Sequence, residues 1–183
     1  GFYHAEAVPA VRSAMTDMAK RNGWSLAITD KGGVFTKATL AKFDVVIWNN
    51  NSGDVLSISQ RAAMKGFIER GGGFVALHGA AGDSSYWWDW YPNTLVGARF
   101  MGHPMAPQFQ EARVVVNKSH PLSANLPAEW RMTDEWYSFH NNPRAGGANV
   151  VLTLDESSYK PDGMMNQNLR MGPDHPIAWT KCI

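Results

Sequence analysis

Apolar positions along the first eighty residues follow two alternating periods. Val8, Val11, Met15 and Met18 recur at the spacing of one helix face, with Pro9 tolerable in the first turn and Gly23 placed to stop the helix. Residues 24–29 then have the composition of a strand. Residues 36–42 predict a short helix, and residues 43–48 predict a buried strand closed by Asn49, Asn50 and Asn51. Ser57-Ile58-Ser59-Gln60 has the form of a capping box. It opens a helix that gathers Ala63, Met64, Phe67 and Ile68 on one face and stops at Gly71. A strand over residues 73–77 follows and runs straight into His78. Strands alternating with helices of this length predict a mainly parallel sheet with helices on both faces, joined by right-handed crossovers.

After His78 the rhythm breaks. Residues 79–108 are rich in Gly, Pro, Trp and Tyr, and a connection longer than about 15 residues without regular structure is usually functional or disordered. With this many aromatic rings, function is the expectation. Short apolar runs at 113–116, 134–139 and 149–154 predict an antiparallel extension of the sheet, and 177–183 predicts a last strand. A doubly wound sheet normally begins with a central strand before its first helix. The order therefore predicts one domain over 1–183 whose first strand lies upstream of Gly1 and whose end lies beyond Ile183.

Composition narrows the partners. The 183 residues carry 17 Lys+Arg against 16 Asp+Glu, a balance with no electrostatic footprint for nucleic acid or an anionic membrane. A single cysteine, Cys182, excludes an internal disulfide and a multi-cysteine zinc site, and reads as a small buried hydrophobe. No apolar run approaches the roughly 18 residues of a membrane span, and no signal peptide is visible. A soluble protein is expected, with cytoplasm or periplasm and monomer or homo-oligomer left open.

The candidate chemistry centres on His78. Gly71-Gly72-Gly73-Phe74-Val75-Ala76-Leu77-His78-Gly79-Ala80 is a glycine-led strand ending in a small-x-X-x-small turn, the frame that exposes one reactive group at a strand's carboxyl end, with histidine at X. Imidazole there suits a general base, a general acid or a metal ligand better than a hydrolytic nucleophile. Ser84 and Ser85 lie beyond the turn and lack the Gly-x-Ser-x-Gly frame. His103 precedes a proline that holds it out of the helical region and fixes its direction. Asp134 and Glu135 are the best acids. Beside Trp136 and Tyr137 one of them would be partly desolvated and raised towards acid or base use, if it is not a surface salt-bridge residue. Trp87, Trp88, Trp90 and Tyr91 form either a satellite core or a stacking wall for a sugar ring. Asn49 reads as a hydroxyl binder or a turn cap, and Arg99 as an anion clamp or a loop anchor. His78, His103, His4 and Glu135 offer the donors of a divalent site such as zinc, without local ligand spacing, so no cofactor is assigned.

Phe2-x-His4, Asn49 at its strand end, the triglycine strand to His78, Gly97-x-x-Phe100-x-x-His103-Pro104, His120-Pro121, Asp134-Glu135-x-Tyr137, Asn142-Pro143-Arg144 and His175-Pro176-x-x-Trp179 together resemble the ThuA-like (trehalose utilisation) family across the chain. The resemblance implies a flavodoxin-like, class I glutamine amidotransferase-like three-layer fold in which the amidotransferase cysteine is replaced at the turn. It also implies a role in carbohydrate metabolism, on disaccharides such as trehalose or their 3-keto derivatives. The expected activity is cleavage or another transformation of a glycoside. His78, His103, Glu135 and Asp134 would be catalytic, His78 and His103 would be the metal donors, and His4, Asn49, Trp88, Tyr91, Arg99 and Tyr137 would line the substrate. A non-catalytic carbohydrate-binding or accessory domain is the alternative.

Overall fold

The triglycine has a steric origin. In the computed structural model, which describes residues 3–82 and 87–183, Gly71 turns the chain out of a helix with φ at +93°. A Cβ on Gly72 would stand 2.4 Å from the Phe67 ring. The helix and the strand that follow one another here can approach only because no side chain intervenes. Phe2, Ser84 and Ser85 lie outside the described residues.

The chain forms two compact units, Gly1–Trp88 and Asp89–Ile183. In the first, helix α1 (Ala7–Asn22) ends as predicted at Gly23, left-handed with φ at 69°. The short α2 (Lys37–Leu40) is capped by Thr36, whose hydroxyl accepts from the Thr39 N–H. Helix α3 (Ile58–Glu69) opens on the predicted capping box: Ser57 Oγ accepts from the Gln60 N–H, and Gln60 Oε1 accepts from the Ser57 N–H at 2.8 Å. Met64, Phe67 and Ile68 are buried. Strands β1 (Val45–Asn49) and β2 (Gly73–Leu77) flank α3 in sequence and pair in parallel, Val45 opposite Gly73. Trp48 is buried, with its indole edge-on to Phe35 and Phe74.

The strand expected at 24–29 does not form. Trp24, Leu26 and Ile28 are 57%, 42% and 50% exposed, and the segment joins no ladder among the described residues. Strand propensity expresses packing on a pleated surface, and alternation without a paired neighbour has nothing to stabilise it.

The second unit is antiparallel. Four strands lie in the order β5 (Glu129–Asp134), β4 (Gln110–Val116), β7 (Asn149–Asp155), β8 (His175–Thr180). A separate pair joins β3 (Phe100–Gly102) to β6 (Ser138–Phe139). Along β4 the alternation is plain. Ala112, Val114 and Val116 are buried, the first two in a core with Trp136 and Leu154, while Arg113 faces outward between Glu129 and Asp155, 2.8 Å from each. The Ser157 hydroxyl and Arg113 hold the Asp155 carboxyl down to about 2.

The single strand expected over 134–139 is broken. β5 stops at Asp134 and β6 begins at Ser138. Between them Trp136 turns into the core and donates its indole N–H to the Gln110 carbonyl at 2.7 Å, an orientation that takes residues 135–137 out of any ladder. The last strand starts earlier than expected, at His175, and ends at Thr180, leaving Cys182 exposed rather than buried.

The fold is thus mixed α/β. Among the described residues parallel pairing is confined to β1 and β2, and every other ladder is antiparallel. No described helix is long and apolar enough to cross a membrane.

Candidate functional site

Each unit gathers its own set of the predicted residues. In the first, β2 delivers His78 into a short 3-10 turn (His78–Ala80) with φ at +47°. That left-handed backbone is costly for a residue with a Cβ and persists only where the surroundings impose it. The surroundings are visible. Asn50, itself at φ +58°, accepts the Gly79 N–H on its side-chain oxygen at 3.2 Å. The Asn50 N–H donates to the Leu77 carbonyl. The imidazoles of His4 and His78 meet edge to face with centroids 4.8 Å apart, and a Cβ on Gly79 would come within 3.0 Å of the His4 ring. The turn therefore presents two imidazoles together, a beginning for proton transfer or for ligation of a divalent ion.

Asn49 is engaged locally. Its amide donates to the Val8 carbonyl at 2.9 Å and its oxygen accepts from Asn50, so it ties β1 to α1. Trp88 is half-buried at the end of this unit.

In the second unit the structure brings His103, Glu135 and Tyr137 together. The imidazole of His103 stacks on the Tyr137 ring at 5.7 Å and 26°, and Phe100 stands edge-on to Tyr137 at 4.8 Å. His103 Nδ1 lies 2.9 Å from the Pro104 carbonyl oxygen, and Nε2 lies 3.4 Å from Glu135 Oε1. A carbonyl can only accept, so Nδ1 carries a proton, and Nε2 is the nitrogen turned to the carboxyl group. At 3.4 Å the two groups form an ion pair when the imidazole is protonated. Glu135 is only 6% exposed, and the same Oε1 accepts from the Gln108 side-chain amide. A buried acid held by an amide and facing an imidazole has the groups that proton transfer requires.

Gln108 carries no signal in the sequence. It sits in a Pro-rich connection with no motif around it, and nothing but the fold brings it to Glu135, 27 positions away. Asp134, the neighbouring acid, instead accepts the Glu135 N–H on its own side chain at 2.8 Å and holds the start of the 135–137 turn.

The remaining candidates serve the scaffold around this pair. Tyr91 is fully buried in a π-helical turn (Tyr91–Val96). The carbonyls this turn leaves free are taken up by side chains from elsewhere in the unit: Thr94 by Lys181 Nζ at 3.0 Å, Val96 by the Trp179 indole at 2.8 Å and Gly97 by Asn141 at 2.9 Å. Arg99 pairs with Asp89 at 2.7 Å and reaches Asn93, anchoring the same loop. Arg144 and Asn142 both bind Asp174 at 2.8 Å. Burial raises that carboxyl, but the two donors outweigh it and leave it below its usual range. His120 caps the turn after β4, accepting the Leu122 N–H on Nδ1 and facing Thr180 with Nε2.

Comparison with known proteins identifies the family. The sequence pattern of the ThuA family, described as trehalose utilisation, matches residues 1–183. The chain is also similar to a ThuA-like protein of Bacteroides uniformis ATCC 8492 whose crystal structure is known: 28% identity and a TM-score of 0.80, over 97% of this chain and 73% of that one. No curated protein matches.

Proposed function

Because the chain belongs to the ThuA family, named for trehalose utilisation, we propose that it is a carbohydrate-processing enzyme that cleaves or otherwise transforms a disaccharide or glycoside, or its 3-keto derivative. The observation that carries this reading is the His103–Glu135 pair, with Nε2 and Oε1 3.4 Å apart and the carboxyl group buried. A 3-keto group makes the hydrogen on the adjacent ring carbon acidic. One member of the pair takes that proton, the C1–O bond to the leaving sugar breaks, and the other member gives its proton to the departing oxygen. The pair ends with as many protons as it began with, and the sugar becomes an unsaturated ketone to which water can add. Acid and base positioned in this way each contribute about 10²–10⁴ in rate.

His78 keeps a functional role in this reading on separate grounds, its strained backbone at the end of β2. Tyr137 beside His103 is a surface for the apolar face of a sugar ring. A divalent ion would draw on the imidazoles of His4 and His78, which meet within the first unit, and would polarise a sugar oxygen. The flavodoxin-like layering implied by the family resemblance is supported by the β1–α3–β2 unit, two parallel strands joined through a helix.

The test is incubation of the chain with trehalose and with its 3-keto derivative. Product analysis should detect the free sugar released from the keto form, and isothermal calorimetry should report binding. Binding of the keto sugar that leaves it unchanged over hours would instead fit a carbohydrate-binding accessory domain.

A further inference from the structure

His175 is completely buried at the start of β8, and the reading above gives it no task. Its two ring nitrogens face two acceptors. Nε2 lies 2.8 Å from the Tyr137 carbonyl oxygen, and Nδ1 lies 2.8 Å from Glu156 Oε1. The carbonyl requires a proton on Nε2. The contact to the carboxyl group then requires a second proton, lying between Nδ1 and Oε1. Glu156 is in turn fixed by main-chain donors, the Met171 N–H on Oε1 and the Gly172 N–H on Oε2. A buried imidazole bonded at both ends, one end to a carboxyl group, has strong and directional contacts and little freedom to rotate.

The bond to Tyr137 matters because of where that residue sits. Residues 135–137 belong to no ladder, and His175 donates to the Tyr137 carbonyl. The next two residues are held from the same side: Ser138 Oγ donates to the Leu169 carbonyl at 2.6 Å, and the Phe139 N–H points to Met171 Sδ. The ring of Tyr137 is the one stacked on His103. From these contacts we infer that His175 is a positioning residue. Anchored by Glu156, it fixes the Tyr137 main chain and thereby the stack that orients His103. This rests on the reading of His103 and Glu135 as the acid–base pair.

Two substitutions separate the two ends of the ring. In His175→Gln the amide nitrogen falls near the place of Nε2 and keeps a donor for Tyr137. In His175→Asn it falls near the place of Nδ1 and keeps only the contact to Glu156. Aromatic carbon–proton NMR spectra of the full chain, labelled in Tyr and His, read the stack directly. The His175→Asn variant should lose the ring-shifted signals of Tyr137 and His103, while the His175→Gln variant retains them and the indole signal of Trp136 stays in place in both. Where turnover of the 3-keto disaccharide is measured, His175→Asn should raise KM several-fold more than His175→Gln does. Unchanged Tyr137 and His103 signals in folded His175→Asn, or equal loss in both variants, would overturn the assignment. Should a variant fail to fold, nitrogen spectra of the unsubstituted chain decide: a His175 Nε2 without an exchange-protected proton is incompatible with the proposed bond. Absence of turnover in the unsubstituted chain would count against the carbohydrate reading alone and leave the ring-signal result standing.

Discussion

The turn at His78 and the pair at His103 and Glu135 are built in opposite ways. At His78 most of the positioning is local or nearly so. A glycine-led strand runs into a left-handed turn, and the bend that follows β1 contributes Asn50 to hold it. At His103 almost nothing is local. The carboxyl group comes from position 135, its amide donor from 108, the stacking ring from 137, and the donor that holds that ring's main chain from 175. A site made by a backbone turn stores its geometry in φ and ψ, whereas a site made by side chains across a sheet stores it in hydrogen bonds. The first should respond to substitutions that change backbone freedom, and the second to loss of single donors.

The largest expected effect tests the first half of that contrast. His78→Gly removes the imidazole and relieves the positive φ together. Turnover of the keto sugar should fall by about 100-fold or more, while stability in urea rises by about 1 kcal/mol, the cost of a left-handed residue with a Cβ. Loss of both activity and stability would mean that the turn is not strained. Next comes Gly72→Ala, whose added methyl meets the Phe67 ring at 2.4 Å. Urea denaturation should report a loss of about 1–3 kcal/mol, the usual cost of overpacking, and an unchanged midpoint would show that the helix-to-strand approach is looser than described.

For the second half, Gln108→Leu deletes one donor to Glu135 without touching either member of the pair. Steady-state kinetics should give roughly a tenfold lower kcat/KM, equivalent to about 1.4 kcal/mol, with the urea midpoint nearly unchanged. The smallest effect is a control on the sheet behind this site. Asp155 has its carboxyl lowered from 3.8 to about 2 by Ser157 and Arg113. Because the folded state holds the ionised form, this contact stabilises fully above pH 3.8 and loses its contribution as pH falls towards 2. Asp155→Asn should therefore be less sensitive to acid over that window in urea melts run as a pH series.

The same contrast explains what could be read from the sequence. The stop at Gly23, the capping box at Ser57 and Gln60, strand β2 and the turn at His78 are each set by neighbouring residues, and their signals lie within a few positions. The false strand at 24–29 shows the limit of that logic, since alternation does not provide a ladder partner. The break between β5 and β6 was hidden for a related reason: Trp136 leaves the ladder to reach the Gln110 carbonyl, a partner 26 positions away. Gln108 and Glu156 carried no local signal at all. They became visible as parts of the site only through the side chains that they hold in the folded chain, Glu135 and His175.

In the proposed reaction Glu135 and His103 exchange a proton with a carbohydrate. The most direct test is Glu135→Gln, which keeps the shape of the side chain and removes its capacity to take up a proton, assayed with the 3-keto derivative of trehalose. The unsubstituted chain should release the free sugar, and the variant, folded and still binding the sugar by calorimetry, should do so at least 100-fold more slowly. Equal turnover by the two would contradict that exchange.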